Sequence, residues 1–264
     1  MSHRTTITYL YDGSFEGLLT AVFDAWKQPS ARIVEHTGFQ QQLGEQYVIV
    51  ETQPGKFSRV YKAILTKLGQ QCLRIVYLTF LSHDEERASK ILAYLRLGFR
   101  VGRGINQRLA DQEVLDVQSL ATFVSNERIR MMEFIRFALY EGGIYYARIQ
   151  PRNHVLPLIM SHFADRLSSI PFIIHDAGRN LAGVWDTREW ILVSSEDMNL
   201  PHIHEDEMKW QRMWKRFYDK VAVEGRINPS LRRQMMPKRY WENMCEMNVL
   251  SEDHLSSKPG TFTI

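Results

Sequence analysis

The first fifty residues alternate between short apolar runs and polar breaks. Residues 7–11 form a β-prone run that a DGS turn interrupts. The apolar pattern at 15–26 then predicts a helix capped by Ser14, because a serine hydroxyl can accept a hydrogen bond from a free N–H of the first turn. Residues 28–45 are polar and are expected to be irregular, and residues 47–51 predict a second strand.

Residues 56–140 carry the period of amphipathic helices. The spacing of six apolar residues predicts one buried helix face: Phe57, Val60, Tyr61, Ile64, Leu65 and Leu68. Ser82 and Glu85 resemble a capping box before a helix at 87–97. Another long helix is predicted at 111–140, with an interruption near 125–126.

The period changes from helical to alternating after the glycine pair at 142–143. Strands are predicted at 144–149, 171–176, 181–186 and 190–193, with a helix at 155–167 that Asn153 caps. Such a unit builds a mainly antiparallel sheet with a helix on one face. The expected fold class is α/β of the α+β kind, with a helix-rich N-terminal half, this sheet at about 144–195 and a basic helical C-terminal segment.

The composition is that of an ordinary globular chain of 264 residues. No apolar run approaches the roughly 20 residues that span a membrane, and the N-terminus lacks the apolar segment of a secretory signal. We therefore expect a cytoplasmic protein that does not contact membranes. A single domain is predicted over residues 1–250, with a possible division between 140 and 141, and residues 251–264 are predicted to be a disordered tail.

Metal and cofactor chemistry has little support in the sequence. The two cysteines, Cys72 and Cys245, are too few for a disulfide framework, a four-cysteine zinc site or a self-contained iron–sulfur cluster. His202 and His204 share one side of an extended segment and are weak metal candidates, because a metal site needs further fixed ligands. The acidic residues beside them can instead complement the N-terminus of the next helix. We predict no cofactor.

Positive charge is concentrated in residues 208–241, the basic–aromatic segment. It holds ten lysines and arginines, two acidic residues and six aromatic residues, a net charge of +8. The rest of the chain holds 23 basic and 28 acidic residues, a net charge of −5. Cationic side chains bind phosphates and aromatic rings stack on unpaired bases. The segment therefore predicts binding to nucleic acid, with an acidic protein surface as the competing partner.

The first part of the basic–aromatic segment predicts a helix with two neighbouring stripes. The apolar stripe is expected to pack against the core and consists of Trp210, Trp214, Phe217 and Val221. The basic stripe is left for a ligand and consists of Lys209, Arg212, Arg216 and Lys220. In the second part, two prolines stiffen the backbone, and the predicted nucleic-acid-binding residues are Arg232, Arg233, Lys238, Arg239, Tyr240 and Trp241.

A second anion site is predicted where the strand at 144–149 leads into a helix, because helix N-termini attract phosphate. Its candidates, with one more on a hairpin tip, are Arg148, Arg152, Asn153, His154 and Arg179. The alternative is that Asn153 only caps the helix. His175 and Asp176 point to opposite faces of a strand, so Asp176 is expected to form the turn rather than a catalytic dyad.

Three segments carry a family resemblance: YDGSFEGLLTAVFDAW, FALYEGGIYYARIQPRNHVLPLIMSHFADRL and WKRFYDKVAVEGRINPSLRRQMMPKRYW. Together they resemble a bacterial family of unknown function whose members are described as probable DNA metabolism proteins. The resemblance extends over about residues 5–245. It implies an association with a radical S-adenosylmethionine protein that modifies or repairs DNA, and some relatives are fused to a uracil-DNA-glycosylase-like domain. It supplies no catalytic residues.

The resemblance and the basic–aromatic segment together predict a DNA-binding accessory protein in DNA repair or modification. Any iron–sulfur chemistry would belong to the radical S-adenosylmethionine partner. One alternative is an enzyme that acts on a nucleotide or nucleic acid itself, in a cleft joining Asn153, His154, His175, Asp176 and the basic–aromatic segment. Another is a protein–protein adaptor that binds the partner enzyme through Trp210, Trp214 and Trp241.

Overall fold

The computed structural model describes residues 6–37, 39, 46–222 and 228–247. The chain divides into two compact units: unit 1 comprises Met1–Glu127 and Arg152–His154, and unit 2 comprises Arg128–Pro151 and Val155–Ile264. Helices and two separate sheets make up these units, which confirms the α+β class. The predicted tail at 251–264 lies outside the described residues.

Unit 1 begins with a parallel sheet of three strands. The strands are β1 (Ile7–Tyr11), β2 (Ala31–Glu35) and β3 (Gln46–Ile49), with β1 in the centre. Helix α1 (Phe15–Ala25) follows β1, and the Ser14 hydroxyl accepts a hydrogen bond from the Gly17 N–H at 2.8 Å, so the predicted cap is confirmed. Residues 28–45 were expected to lack regular structure, and this is wrong for the residues that form β2. Only Ile33 of this strand is fully buried, too weak a pattern to read from the sequence.

The remaining elements of unit 1 are helical: α2 (Pro54–Ala63), a π-helical turn (Ile64–Leu68), α3 (Gln70–Phe80), α4 (Arg87–Val101) and most of α5 (Gln112–Phe134). The predicted buried face is confirmed for Val60, Ile64 and Leu68, each under a tenth exposed, but the prediction is wrong for Leu65, which is 40 % exposed.

Two local predictions about these helices are wrong. Ser82 does not cap α4, because its hydroxyl accepts a hydrogen bond from the Asp84 N–H and α4 begins only at Arg87. Helix α5 runs without a break past 125–126 and ends at Phe134. Residues 138–140 of the predicted helix form a strand instead.

Unit 2 contains a five-stranded sheet in chain order, formed by β4 (Ala138–Tyr140), β5 (Ile144–Ile149), β6 (Phe172–Asp176), β7 (Leu181–Trp185) and β8 (Trp190–Ser194). Only β5 and β6 pair in parallel, and α6 (Leu156–Arg166) lies between them in sequence. The predicted, mainly antiparallel sheet is therefore confirmed. Helix α6 packs so closely on one face that a Cβ at Gly183 would lie 2.2 Å from the Met160 sulfur.

The C-terminal part of unit 2 is helical, with α7 (Glu207–Val221), α8 (Pro229–Met235) and a 3-10 segment (Lys238–Asn243). The residues before α7 extend the sheet, because Ile203 forms an antiparallel bridge with Tyr140 of the edge strand β4. No helix within the described stretches is long and apolar enough to cross a bilayer.

Candidate nucleic-acid interface and adjoining cleft

The apolar stripe of α7 faces solvent. Trp210 is 55 % exposed, Trp214 41 % and Phe217 57 %, and Val221 is equally open. The Trp214 and Phe217 rings stack with their centroids 5.7 Å apart. The prediction that this stripe packs against the core is wrong. Helical spacing shows that the rings share one face, but it does not show whether that face is covered.

The basic stripe of α7 lies beside the rings and is also exposed. Its members are Lys209, Arg212, Arg216 and Lys220. Among the described residues, Lys209, Arg216 and Lys220 form no ion pair, whereas Lys215 is paired with Asp219 one turn away at 3.1 Å. Exposed rings and unneutralised cations therefore occupy one continuous surface of α7.

A buried carboxylate attaches the start of α7 to the sheet. Glu207 is 6 % exposed, and its two oxygens accept hydrogen bonds from the Leu139 N–H at 2.8 Å and the Gln211 side-chain amide at 2.7 Å. Glu207 is the first residue of the helix, where a negative charge also complements the helix dipole. This anchor leaves the aromatic stripe outside the core.

In the 3-10 segment and α8, cations lie over aromatic rings. The Arg232 guanidinium is 5.2 Å from the Trp241 ring centroid and the Lys238 ammonium is 6.0 Å from it. The Trp241 indole N–H donates to the Met236 carbonyl at 2.9 Å, which fixes the ring. Arg233 is exposed. These residues give α8 and the 3-10 segment a basic and aromatic surface of their own.

Tyr240 does not belong to that surface. It is only 4 % exposed and packs against Phe134, with ring centroids 5.7 Å apart. The Arg239 guanidinium lies 4.6 Å from the Tyr240 centroid and is half-buried. The predicted contact of the Tyr240 ring with a base is therefore incompatible with its position in the core.

A cleft of about 1010 Å³ adjoins α7 within unit 2. Its aromatic wall is formed by Tyr140, Tyr146, Trp210 and Trp214, and its charged groups are Glu133, Arg136, Arg148, Glu207 and Glu242. Tyr140 and Tyr146 meet edge to face with centroids 5.3 Å apart. Burial raises the pKa of Tyr146 to about 12, so its phenol stays protonated at neutral pH.

Arg136, which lines this cleft, forms an ion pair with the buried Glu246. Glu246 is 2 % exposed, and the Arg136 guanidinium donates to it from Nη2 at 2.6 Å and from Nε at 3.0 Å. Burial acts to raise the pKa of Glu246, but the hydrogen bonds from Arg136 hold it below its ordinary value. Burial also raises the pKa of the neighbouring Cys245 thiol to about 11, so it is not a thiolate at neutral pH.

A chain of hydrogen bonds runs from the cleft across the sheet. The Tyr146 hydroxyl lies 2.7 Å from His175 Nδ1, and His175 Nε2 lies 3.1 Å from the Ser195 hydroxyl. Burial, and then the positive charge of Arg148, lower the pKa of His175. The imidazole is therefore neutral at neutral pH, with one nitrogen able to accept a proton.

A family model described as a domain of unknown function, DUF4130, matches residues 85–246. The chain belongs to this family. No curated protein and no solved structure gives a significant match. The DUF4130 match includes all of α7, α8 and the cleft, and it ends at Glu246, the buried partner of Arg136.

The predicted phosphate residues are divided between the two units. Asn153 is fully buried in unit 1, where its backbone N–H and its side-chain Nδ2 both donate to Glu127 Oε2 at 2.7 Å. Its side-chain oxygen Oδ1 accepts from the His83 N–H at 3.1 Å. Arg152 and His154 also belong to unit 1, and their N–H groups donate to Glu127 and to the Leu81 carbonyl. The prediction that Asn153 caps the following helix is wrong, since α6 begins at Leu156 without a side-chain cap.

The other two phosphate candidates belong to unit 2. Arg148 lines the cleft, 3.3 Å from a Glu242 oxygen and 3.4 Å from the Asn243 side chain. Arg179 donates to the fully buried Asp176 at 2.9 Å, which neutralises its charge. Asp176 also accepts from the Gly178 N–H at 3.2 Å, so its predicted role in the turn is confirmed.

The two weak metal candidates extend the edge of the sheet. The His202 carbonyl accepts from the Glu141 N–H at 2.9 Å, and the His204 N–H donates to the Leu139 carbonyl at 3.0 Å. The His204 Nδ1 accepts from the Asp206 N–H at 3.2 Å. Within the described ranges, no three histidine, cysteine or acidic residues are grouped as metal ligands.

The cleft lined by Tyr146, Arg148 and α7 is not predicted by the sequence. The alternation in IYYARI predicts that Tyr146 and Arg148 share one face of β5, and in the structure both side chains lie on that face. Nothing local in the sequence indicates that α7 and the 3-10 segment line the same cavity, because those elements follow β5 by more than fifty residues.

Proposed function

We propose that this protein binds single-stranded DNA through α7 and through Arg232, Arg233, Lys238 and Trp241, as an accessory protein in DNA repair or modification. One observation carries the proposal: Trp210, Trp214 and Phe217 are exposed on α7 beside Lys209, Arg216 and Lys220, which form no ion pair with a residue that the structure describes. A ring with a free face stacks on an unpaired base, and the neighbouring lysines and arginines neutralise the backbone phosphates. Duplex DNA hides its base faces in the stack, so the exposed rings favour a single strand.

The proposed partner is a radical S-adenosylmethionine protein that modifies or repairs DNA. The support is the family resemblance, together with the shortage of cysteines for a cluster within this chain. In this division of labour, the protein holds the strand and the partner performs the chemistry. If α7 instead binds the partner enzyme directly, the wild-type protein should not bind DNA. In that case Trp210→Ala should abolish co-purification with the partner enzyme.

Removing one exposed ring is expected to weaken DNA binding. Trp210→Ala or Phe217→Ala should each cost about 1–3 kcal/mol, roughly five- to 150-fold in Kd, for a single-stranded oligonucleotide. Arg216→Glu should make the plot of log K against log salt concentration less steep, because fewer counterions are released. Fluorescence anisotropy at several salt concentrations measures both effects.

The controls change an exposed apolar residue and an exposed arginine elsewhere in unit 2. Ile191→Ala removes an exposed apolar side chain from β8, and Arg188→Glu reverses an exposed charge in the β7–β8 turn. Both should leave the Kd and the salt slope unchanged. Equal losses in the control and α7 variants, or no loss in any of them, would contradict the proposal.

A second candidate function, an enzyme acting on nucleotides or nucleic acid, is favoured by the Tyr146–His175–Ser195 chain. A neutral imidazole between two hydroxyls can take the Ser195 proton at Nε2 while Tyr146 orients it through Nδ1. This arrangement is that of an activated serine nucleophile. Asn153 is buried in unit 1, so it contributes nothing to such a site.

Fluorophosphonate labelling tests this second candidate. Labelling is expected at Ser195 and should be lost in Ser195→Ala and His175→Ala, whereas Ser194→Ala, which alters the exposed neighbour, should retain it. The pKa of His175 lies below the ordinary 6.5, so the labelling rate should rise with pH and level off near or below that value. Mass spectrometry that finds no preference for Ser195 over Ser194 would remove the enzyme alternative.

A further inference from the structure

The charges that line the cleft are mainly negative. Arg136 is neutralised by the buried Glu246, so the remaining groups are the carboxylates of Glu133, Glu207 and Glu242 and the guanidinium of Arg148. Even Arg148 is partly compensated, since it lies 3.3 Å from Glu242. A cleft with an excess of carboxylates repels phosphate, although the surface of α7 beside it is basic.

Glu207 gives this negative charge a fixed position. The residue is only 6 % exposed, and its carboxylate is held by the Leu139 N–H and the Gln211 amide. A charge that is already oriented and shielded from water acts strongly on a nearby ligand, because little screening and no reorganisation weaken the interaction.

The walls of the cleft are aromatic and already accommodate a planar cation. The Arg136 guanidinium lies 5.9 Å from the Trp214 ring centroid. Trp210, Tyr140 and Tyr146 line the same cavity. Aromatic rings attract cations through their negative faces, and several rings with a carboxylate select a cationic ligand over its neutral analogue.

We propose that this cleft binds a positively charged aromatic ring, namely an N-alkylated nucleobase. The inference rests on the proposed function, since single-stranded DNA on α7 would bring the base to the cleft: Trp210 and Trp214 belong to both surfaces. Alkylation at a ring nitrogen leaves the base flat and gives it a positive charge, which matches the rings and carboxylates together. A damaged or unpaired base is also the least costly to remove from its stack.

Titration with free nucleosides tests the cleft without DNA. The full-length protein should bind 7-methylguanosine, a cation, about tenfold or more tightly than neutral guanosine, as measured by calorimetry or tryptophan fluorescence. Glu133→Gln should reduce this preference and leave guanosine affinity unchanged, because the exposed Glu133 side chain lines the cleft. Glu189→Gln, the same change in the exposed β7–β8 turn, is the control and should alter neither affinity.

The outcomes separate the two proposals. Preference for 7-methylguanosine without oligonucleotide binding would support the cleft and overturn the proposed DNA surface. Oligonucleotide binding without a preference between the nucleosides would support the proposed DNA surface and overturn the proposed ligand of the cleft. Absence of nucleoside binding, or binding of choline as tight as that of 7-methylguanosine, would overturn the assignment to a nucleobase.

Discussion

Asn153→Asp is expected to destabilise the protein by about 3–5 kcal/mol at neutral pH, because it places a second buried carboxylate beside Glu127. The substitution replaces the amide that donates to Glu127 Oε2 at 2.7 Å with a second carboxylate. Glu127 is 1 % exposed and Asn153 is fully buried, so water cannot separate the two negative charges. Thermal unfolding should show a Tm lower by roughly 10 °C or more.

The pH dependence of this variant identifies the cause. Two carboxylates at hydrogen-bonding distance share a proton, so the pKa of the pair in the folded variant lies above the unfolded value. Such a pair contributes stability at low pH that is lost as the pH rises. The Tm difference from the wild type should therefore shrink between pH 7 and pH 5. Asn126→Asp, the same change at an exposed position of α5, should cost at most about 0.5 kcal/mol at either pH.

Arg136→Met should destabilise unit 2 by a similar amount, about 3–5 kcal/mol, because it leaves the Glu246 carboxylate buried and unpaired. In the wild type the pKa of Glu246 is depressed, so the stability that it contributes is present above its unfolded pKa and is lost as the pH falls through the folded pKa. In the variant that gain is absent at neutral pH. Urea denaturation at pH 7 and at pH 5 measures the difference, which should be larger at pH 7.

The double variant Arg136→Met/Glu246→Leu is the control for this ion pair. Replacing both charges with apolar side chains removes the unpaired carboxylate, and such replacements are often neutral or stabilising. The double variant should therefore recover most of the stability that Arg136→Met loses. A double variant as unstable as the single one would show that packing by the Arg136 stem, rather than charge compensation, holds the segment in place.

The parts of the fold that depend on neighbouring residues could be predicted from the sequence. Ser14 caps α1 because the hydroxyl and the free N–H of Gly17 are three residues apart. Four strands of the unit 2 sheet could be predicted because they are short apolar runs between clear turns, whereas β4 was predicted as the end of a helix. Such features need no knowledge of what packs against them.

The predictions that were wrong concern features that depend on residues distant in the chain. Asn153 looks like a helix cap in its local sequence, but its amide is used by Glu127, which lies 26 residues earlier. The α7 stripe looks like a core-facing stripe, but whether it is covered depends on the position of the whole helix, which the buried Glu207 sets. The candidate site was therefore predicted in its residue types and only partly in its geometry.

The tripeptide Arg152–His154 has a consequence for how this protein can be divided or recombined. It belongs to unit 1 although it is separated in the chain from Met1–Glu127 by a stretch of unit 2. A fragment that stops at Glu127 would lack the donors that satisfy this buried carboxylate, so unit 1 cannot be cut out as one continuous piece. A fusion or an exchange of segments that is meant to keep unit 1 folded must therefore keep Arg152–His154 together with Met1–Glu127.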